Sequence, residues 1–335
     1  MTTLWRLQTK TNINPELSNI HDISEYCLDE KIIAIGWSMA DHQIQDMDQN
    51  SIKAIKEERE KIKNYEMYEE LTKKYGKWHV GAENASRLRE TVENDLIWMR
   101  CRGIYYLGRI TKDSAYRYNR SKCAQDRDAA NQLTDIDWIK IGDESTIPGA
   151  IRTSFIKGRV FQRIRHSGML EYSELLYKFK HRENMDKIYE DIMIKNNCVN
   201  FFNFLSTEDS EDLLCMWLYH KEKYICIPST SKQSTELYEG VLLNPKTGKH
   251  VYTQVKKGKI DLYVENYQHL DGEVWLLTTQ GIILGDETDC IKKVDPNALY
   301  EFAMSDDTCI RKILPDSIKT WVTILKNVNV MNGVI

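Results

Sequence analysis

An acid on one strand, with a glutamine and a lysine two residues apart on the next, forms a set of side chains suited to cleaving a phosphodiester. His250–Lys256 alternates polar and apolar residues with the two-residue period of a strand. Gln254 and Lys256 therefore share one face, and Val251, Thr253 and Val255 share the other. The preceding NPKTGK, Asn244–Lys249, carries the proline and glycine of a turn. A hairpin loop over Pro245–Gly248 pairs Asn244 with Lys249 and sets Glu239 opposite Gln254 and Leu237 opposite Lys256. Opposed residues project to one face, so Glu239, Gln254 and Lys256 converge. A slip of one residue would undo this.

The chemistry follows from the donors. A hard cation, Mg²⁺ or Mn²⁺, takes oxygen ligands. The Glu239 carboxylate, the Gln254 amide oxygen and the Val255 carbonyl are expected to supply them. Lys256 beside the cation would orient the attacking water and offset phosphate charge. One carboxylate is a lean set, so a further acid is expected, and Glu211 is the candidate. It heads a helix expected over Thr207–Lys221 and shares a face with Leu214, Cys215 and Leu218. Plainer readings stay open. Glu239 is equally suited to pairing with Lys256 across a hairpin, Gln254 to a polar strand position, and Glu211 to the positive end of a helix dipole. Lys246, Lys249, Lys256, Lys257 and Lys259 occur without an intervening acid, which fits a phosphate-facing surface or ordinary solvent-facing turns.

The elements that must carry these residues are a helix (Thr207–Lys221), strands at Tyr224–Pro228, Glu236–Leu243 and His250–Lys256, a helix at Ile260–Leu270 and a strand at Glu273–Thr278. Ser229–Thr235 is a polar loop, and helical or strand segments are expected at Ala298–Met304 and Ile313–Leu325. The element order, with Glu239 and Gln254-Val255-Lys256, resembles the PD-(D/E)xK nuclease superfamily over residues 206–285, and within it the Mrr-like branch, where the second acid is often glutamine. The resemblance implies a restriction-endonuclease-like αβββαβ domain and Mg²⁺-dependent hydrolysis. The first acid of that superfamily is commonly aspartate, and Glu239 departs from this.

The first half reads differently. Lys31–Trp37 (KIIAIGW) is a short apolar run ending in Gly-Trp. Residues 51–75 form a highly charged helix with a narrow apolar stripe of Ile52, Ile55, Ile62 and Tyr65, expected to lie solvated on the domain. A second helix is expected over Asn84–Glu93, with Asn84 as its cap. Asp95–Met99 and Ile104–Ile110 flank a hairpin turn, and Ile136–Ile141 is another strand. There is no GxGxxG and no GxxxxGK[ST]. Most of the aromatics are expected in the core. Trp37, Trp138 and Tyr118 are the candidates for stacking a flipped or unpaired base. The sequence of IIAIGW, DLIWM, YYLGRI, YRYN and DIDW resembles the PUA-like domains of the EVE and YTH type over residues 30–165. That resemblance implies a β-barrel with an aromatic pocket for modified bases, lined by Trp37 and Trp138.

Between the halves, residues 146–185 hold eight Lys and Arg against three acids, in a chain of net charge −4. Arg159 and Arg163, interleaved with Phe155 and Phe161, are candidate phosphate contacts. Glu171–Asn196 reads as one or two helices, with a break at Asn196-Asn197. The acidic balance excludes a uniformly basic coat. No zinc-type Cys/His spacing, apolar leader or membrane-length run is present, so a cytoplasmic protein with reduced thiols is expected.

The expected layout is a mixed α/β chain: a PUA-like base-recognition domain (1–165), a basic helical linker (166–205) and a nuclease-like domain with a C-terminal extension (206–335). It implies a Mg²⁺-dependent endonuclease acting on modified or foreign phage DNA, as in type IV restriction and anti-phage defence. The alternatives are a degenerate nuclease fold that only binds nucleic acid, and an RNA substrate. The expected partner is DNA, with no membrane; a homodimer is compatible with the sequence.

Overall fold

The computed structural model describes residues 2–9, 23–76, 78–144, 146–156, 158–166, 168–181, 196–227 and 238–331. The chain divides into two compact units. The first comprises Met1–Glu144, Thr153–Arg165 and Met169–Lys180; the second comprises Ser145–Arg152, His166–Gly168 and His181–Ile335.

The first unit holds strands β1 (Leu4–Leu7), β2 (Ile33–Ile35), β3 (Leu96–Cys101), β4 (Ile104–Ile110), β5 (Tyr116–Tyr118), β6 (Asn131–Leu133), β7 (Ile136–Gly142) and β8 (Phe161–Arg163). A five-stranded sheet runs β7-β4-β3-β1-β8, and a three-stranded sheet runs β2-β6-β5. Only β1 and β3 pair in parallel in the larger sheet. All four residues of β1 are buried, as are five of the six of β3, because both faces of these central strands are covered. On one face Trp5, Leu7, Ile97, Met99 and Phe161 pack with Ile33 and Ile35. The helix Met169–Lys180 lies against β1 and β3 on the other, where Trp98 donates to Ser173 Oγ at 2.9 Å. No closed barrel occurs among the described residues; the strands instead form two open sheets.

The charged stretch is two helices, Gln49–Arg59 and Tyr65–Lys74. Asn64 caps the second by accepting from the Met67 amide. They are not merely solvated. Ile55, Ile62, Tyr65, Tyr68 and Leu71 form a second core with Trp78 and Tyr118. Asn84 is inside the helix His79–Ser86, donating to the Val80 carbonyl, and does not cap it. The helix Met169–Lys180 belongs to the first unit and not to a linker. The part of the expected linker helix over 182–195 lies outside the described residues.

The second unit holds the helices Cys198–Phe204 and Thr207–Glu222. Its strands are β9 (Ile225–Cys226), β10 (Gly240–Leu243), β11 (His250–Lys256), β12 (Leu262–Tyr263), β13 (Glu273–Thr278), β14 (Ile283–Leu284) and β15 (Ile291–Lys293), and the helices Pro296–Met304, Thr308–Ile313 and Asp316–Met331 follow. Asn197 caps Cys198–Phe204 at the expected break. The sheet order is β15-β13-β11-β10-β9. β9, β10 and β11 pair antiparallel, while β13 joins β11, and β15 joins β13, in parallel. The crossover from β11 to β13 is not the expected helix. It is the short strand β12 and a 3₁₀ turn, Val264–Tyr267. Their residues Leu262, Val264 and Tyr267 cover Val274 and Leu276. Pro228, the loop 229–235 and the strand start at Glu236-Leu237, with its pairing to Lys256, lie outside the described residues. No helix among the described residues is long and apolar enough to cross a membrane.

Candidate functional site

The hairpin carries the register its turn chemistry dictates. Asn244 donates to the Lys249 carbonyl at 2.9 Å, and Gly240 to Leu243 pair with Thr253 to His250. Glu239 stands one residue before β10, and its amide donates to the Thr253 carbonyl. On β11, Gln254 lies beside Leu276 of β13 and Tyr252 beside Val274, so Gln254 and Lys256 share the face covered by the crossover.

The three side chains meet. Gln254 Nε2 donates to Glu239 Oε1 at 2.9 Å, and Lys256 Nζ reaches the same oxygen at 3.2 Å. Gln254 is 0% exposed. Its Nε2 also faces the Val255 carbonyl at 3.5 Å, while its own Oε1 is buried without a hydrogen-bond partner among the described residues. The amide nitrogen thus stands against the two oxygens expected to ligate a cation, and the amide oxygen expected to join them is left over. A half-turn of this amide would exchange a positive N–H edge for a third oxygen donor.

Glu211 approaches from the helix Thr207–Glu222, which packs against β11. Ser206 caps this helix and Asp209 completes the capping box. Burial pushes the Glu211 carboxyl up to about 8; the nearby Glu239, Glu208 and Asp212 carboxylates add to this, and the Lys256 ammonium opposes it. At neutral pH Glu211 therefore holds a proton, within electrostatic reach of Glu239. Among the described residues no group of three or more His, Cys, Asp or Glu side chains is placed to hold a metal ion. A cation here would depend on Glu239, the Gln254 amide and the Val255 carbonyl.

Lys257 corrects the expectation of a phosphate contact. Its ammonium donates to the carbonyls of Asn203 (3.2 Å) and Leu205, at the end of the helix Cys198–Phe204. Exposed carbonyls at a helix C-terminus attract a cation, and this one is committed there.

In the first unit the expected aromatics part company. Tyr118 is 5% exposed, and its hydroxyl donates to the Ser38 carbonyl at 2.6 Å, so it braces a loop; it also stands in the wall of a cavity of about 530 Å³ with Ile62, Lys63, Tyr116 and Arg117. Trp138 lies over Gly108, where a Cβ would stand 2.7 Å from its ring, and its indole N–H donates to the Ile32 carbonyl. Like Trp37 it is partly buried against the first core. Trp37 is half-buried, touches both cores and has φ +61°. A non-glycine residue there is strained and needs its surroundings to hold it. They do so through the backbone. Gly36 O accepts from Asn131, Trp37 O from Tyr68, Ser38 O from Tyr118 and Met39 O from Arg59. Asp128 accepts from the Ser38 amide at 2.8 Å. Burial holds the Tyr68 phenol far above its ordinary range and Tyr118 above it as well, so both stay donors.

Arg159 and Arg163 line a cavity of about 420 Å³ with Trp5, Arg87, Glu90, Gly158, Gln162 and Arg165. Arg87 was not foreseen from sequence. It lies more than seventy residues upstream of Arg159, and no local pattern links the two.

Comparison with family models, with curated proteins and with solved structures finds no match to the chain.

Proposed function

We propose that the protein is a metal-dependent nuclease acting on DNA, with the second unit as its hydrolytic part and the first as a PUA-like, base-reading part. The observation that carries this is the meeting of Glu239, Gln254 and Lys256 at one oxygen, with Gln254 Oε1 buried and unpartnered. Three further features support it. The αβββ order precedes a crossover to a parallel strand, β11 carries the Gln-x-Lys, and a protonated acid stands within electrostatic reach of Glu239.

Glu239, the Gln254 amide oxygen and the Val255 carbonyl would hold Mg²⁺ or Mn²⁺. When bound, the cation supplies Lewis-acid stabilisation of charge on phosphate. Lys256 Nζ neutralises one non-bridging phosphate oxygen and orients the water whose oxygen bonds to phosphorus as the sugar–oxygen bond to phosphorus breaks; the water loses a proton to solvent, and the leaving sugar oxygen takes one from solvent. Glu211 would release its proton to solvent when a cation is held at Glu239. In the first unit, Trp37 offers its remaining exposed ring surface from a braced loop, a rigid platform for a base. Modified or foreign phage DNA is the substrate this pairing of parts suits, with RNA as the other polymer to test.

A second reading is favoured by a specific observation. Lys256 and Gln254 already satisfy Glu239 Oε1, so a degenerate site that only grips nucleic acid also accounts for the contacts. Calorimetry separates the two readings. The nuclease reading expects binding of Mg²⁺ or Mn²⁺, and cutting of modified phage DNA that falls at least a hundredfold on Lys256→Ala. A fully active Lys256→Ala protein sinks the mechanism; absence of metal binding with intact DNA affinity leaves the gripping role.

A further inference from the structure

The first unit contains a fully buried arginine with no carboxylate partner. Arg6, on the central strand β1, is 0% exposed. Its guanidinium donates to Gln8 Oε1 at 2.5 Å and to the Arg159 carbonyl, lies 5.6 Å from the centre of the Phe155 ring, and leaves Nε unpartnered. No ion pair reaches it among the described residues. Buried charge without a counter-charge is costly, and most structures supply one. The loop that accepts from Arg6 is folded tightly onto it. Gly158 has φ +127°, and a Cβ there would stand 2.9 Å from Arg6 Nη2 and 2.4 Å from Gln162 Oε1.

Gly158, against which Arg6 Nη2 packs, also lines a cavity with Arg87, Arg159, Arg163 and Arg165. Glu90 is the one carboxylate in its wall, and it is engaged by Arg163 at 3.0 Å. Arg163 also lies over the Trp5 ring, which stacks on Phe161 at 4.7 Å. Arg87 is fixed by its bond to the Phe161 carbonyl. Arg159 and Arg165 are exposed and make no ion pair among the described residues. Four like charges against one carboxylate focus a positive potential, and guanidinium forks match the oxygens of a tetrahedral anion. Burial, together with Arg159 and Arg163, also lowers the Arg87 pKa against the opposing pull of Glu90 and Glu83.

We propose that this cavity is a phosphate site, with Arg87, Arg159, Arg163 and Arg165 as ligands and Arg6 as a further buried charge behind Gly158. The phosphate chemistry is shared by free phosphate and by the backbone of a nucleic-acid strand. Assigning it to the backbone rests on the nuclease reading; the anion site itself does not.

The test uses the full chain in EDTA, so that metal plays no part. One arm measures thermal protection by inorganic phosphate and pyrophosphate. The other measures binding of a single-stranded oligonucleotide across a salt series. The Arg159→Ala/Arg165→Ala protein should unfold at the wild-type midpoint. Its affinity for whichever probe the wild type binds should fall about tenfold, and for the oligonucleotide the slope of log K against log salt should shrink by about 0.7 per arginine. Glu90→Gln, which removes the one opposing charge, should tighten binding roughly threefold, a gain that misfolding does not produce. Lys140→Ala, an exposed lysine on β7, controls for net charge. Protection by phosphate alone assigns a free-anion site; an arginine-dependent oligonucleotide slope assigns the backbone. Equal affinity and slope in variant and wild type, or no binding of either probe to the wild type, overturns the proposal. Failure of metal binding would remove the nuclease reading without touching these readouts.

Discussion

The loop Gly36–Ala40 and the strand end at Gln254–Lys256 are both built from buried polar groups, and they differ in what is left over. In the loop, four consecutive carbonyls each accept from a different side chain, and Asp128 takes the Ser38 amide. At Gln254 a buried amide oxygen has no partner, and Glu211 nearby is pushed into its neutral form. Arg59 Nε and Gln125 Oε1 are left over at the edge of that network, but every one of the four loop carbonyls is engaged, and a segment so saturated holds one conformation and gains nothing from a ligand. An unsaturated one stores a cost that a suitable ligand removes. On this ground the loop is a support for Trp37, and the strand end is a place where binding is expected.

The sharpest way to break the contrast is to open the saturated network. Asp128 is 4% exposed, and its Oδ2 sits where a Cβ on Gly36 would clash, at 2.5 Å. Asp128→Ala leaves the Ser38 amide buried without its acceptor and opens space beneath a chain segment with positive φ at Trp37 and Met39. A loss of about 2–3 kcal/mol is expected in denaturant unfolding followed by far-UV circular dichroism. A loss under about 0.5 kcal/mol would show that the other braces carry the loop alone.

That network also marks where sequence reasoning stops. The meeting of Glu239 with Gln254 was legible because strand periodicity and a Pro-Gly turn are local, and together they fix a register. The loop's donors come from Arg59, Tyr68, Tyr118 and Asn131, spread over seventy residues, and nothing local in KIIAIGWSMA names them. The strand β1 was hidden by its own length: LWRL is four residues, and its Arg6 breaks an apolar run that is buried on both faces. The division of the charged helix was legible in principle, since Asn64 is an N-cap residue standing before Tyr65. The bonds of Tyr118 and Trp138 were not legible, because an aromatic on a strand gives no sign of whether its polar tip is already committed to a backbone carbonyl.

A smaller effect is expected from Glu211. Its folded pKa, about 8, lies above the ordinary carboxyl value, so the native state holds a proton that the unfolded chain has released. Between roughly pH 4.5 and 8 stability therefore falls as pH rises, and above 8 the penalty is complete. Glu211→Gln should flatten this slope and stabilise the metal-free protein by on the order of 1 kcal/mol near pH 8, with the gain disappearing below pH 4.5. The same proton gives a signature of cation binding. Near pH 7, Mg²⁺ or Mn²⁺ should expel about one proton per site, seen as a calorimetric enthalpy that varies with the ionisation heat of the buffer. In Glu211→Gln this buffer dependence should vanish. Its persistence would place the released proton elsewhere.

The smallest change is the most discriminating, because its sign is opposite to that at Asp128. Gln254→Met keeps the volume and removes both ends of the amide. The lost bonds are Nε2 to Glu239 Oε1, which keeps Lys256 at 3.2 Å, and the long one to the Val255 carbonyl at 3.5 Å. The gain is the removal of an amide oxygen that is buried and unpartnered. Leaving a buried acceptor unsatisfied costs about 1–3 kcal/mol, while a made hydrogen bond contributes about 1 kcal/mol. In metal-free buffer the variant should therefore match the wild type or exceed it by up to about 1 kcal/mol. Added Mg²⁺ or Mn²⁺, which should raise the unfolding midpoint of the wild type, should leave that of the variant unmoved. A variant destabilised by more than about 2 kcal/mol without metal would mean that the amide closes a finished network, as Asp128 does. The difference between the two regions would then be one of packing and not of readiness to bind.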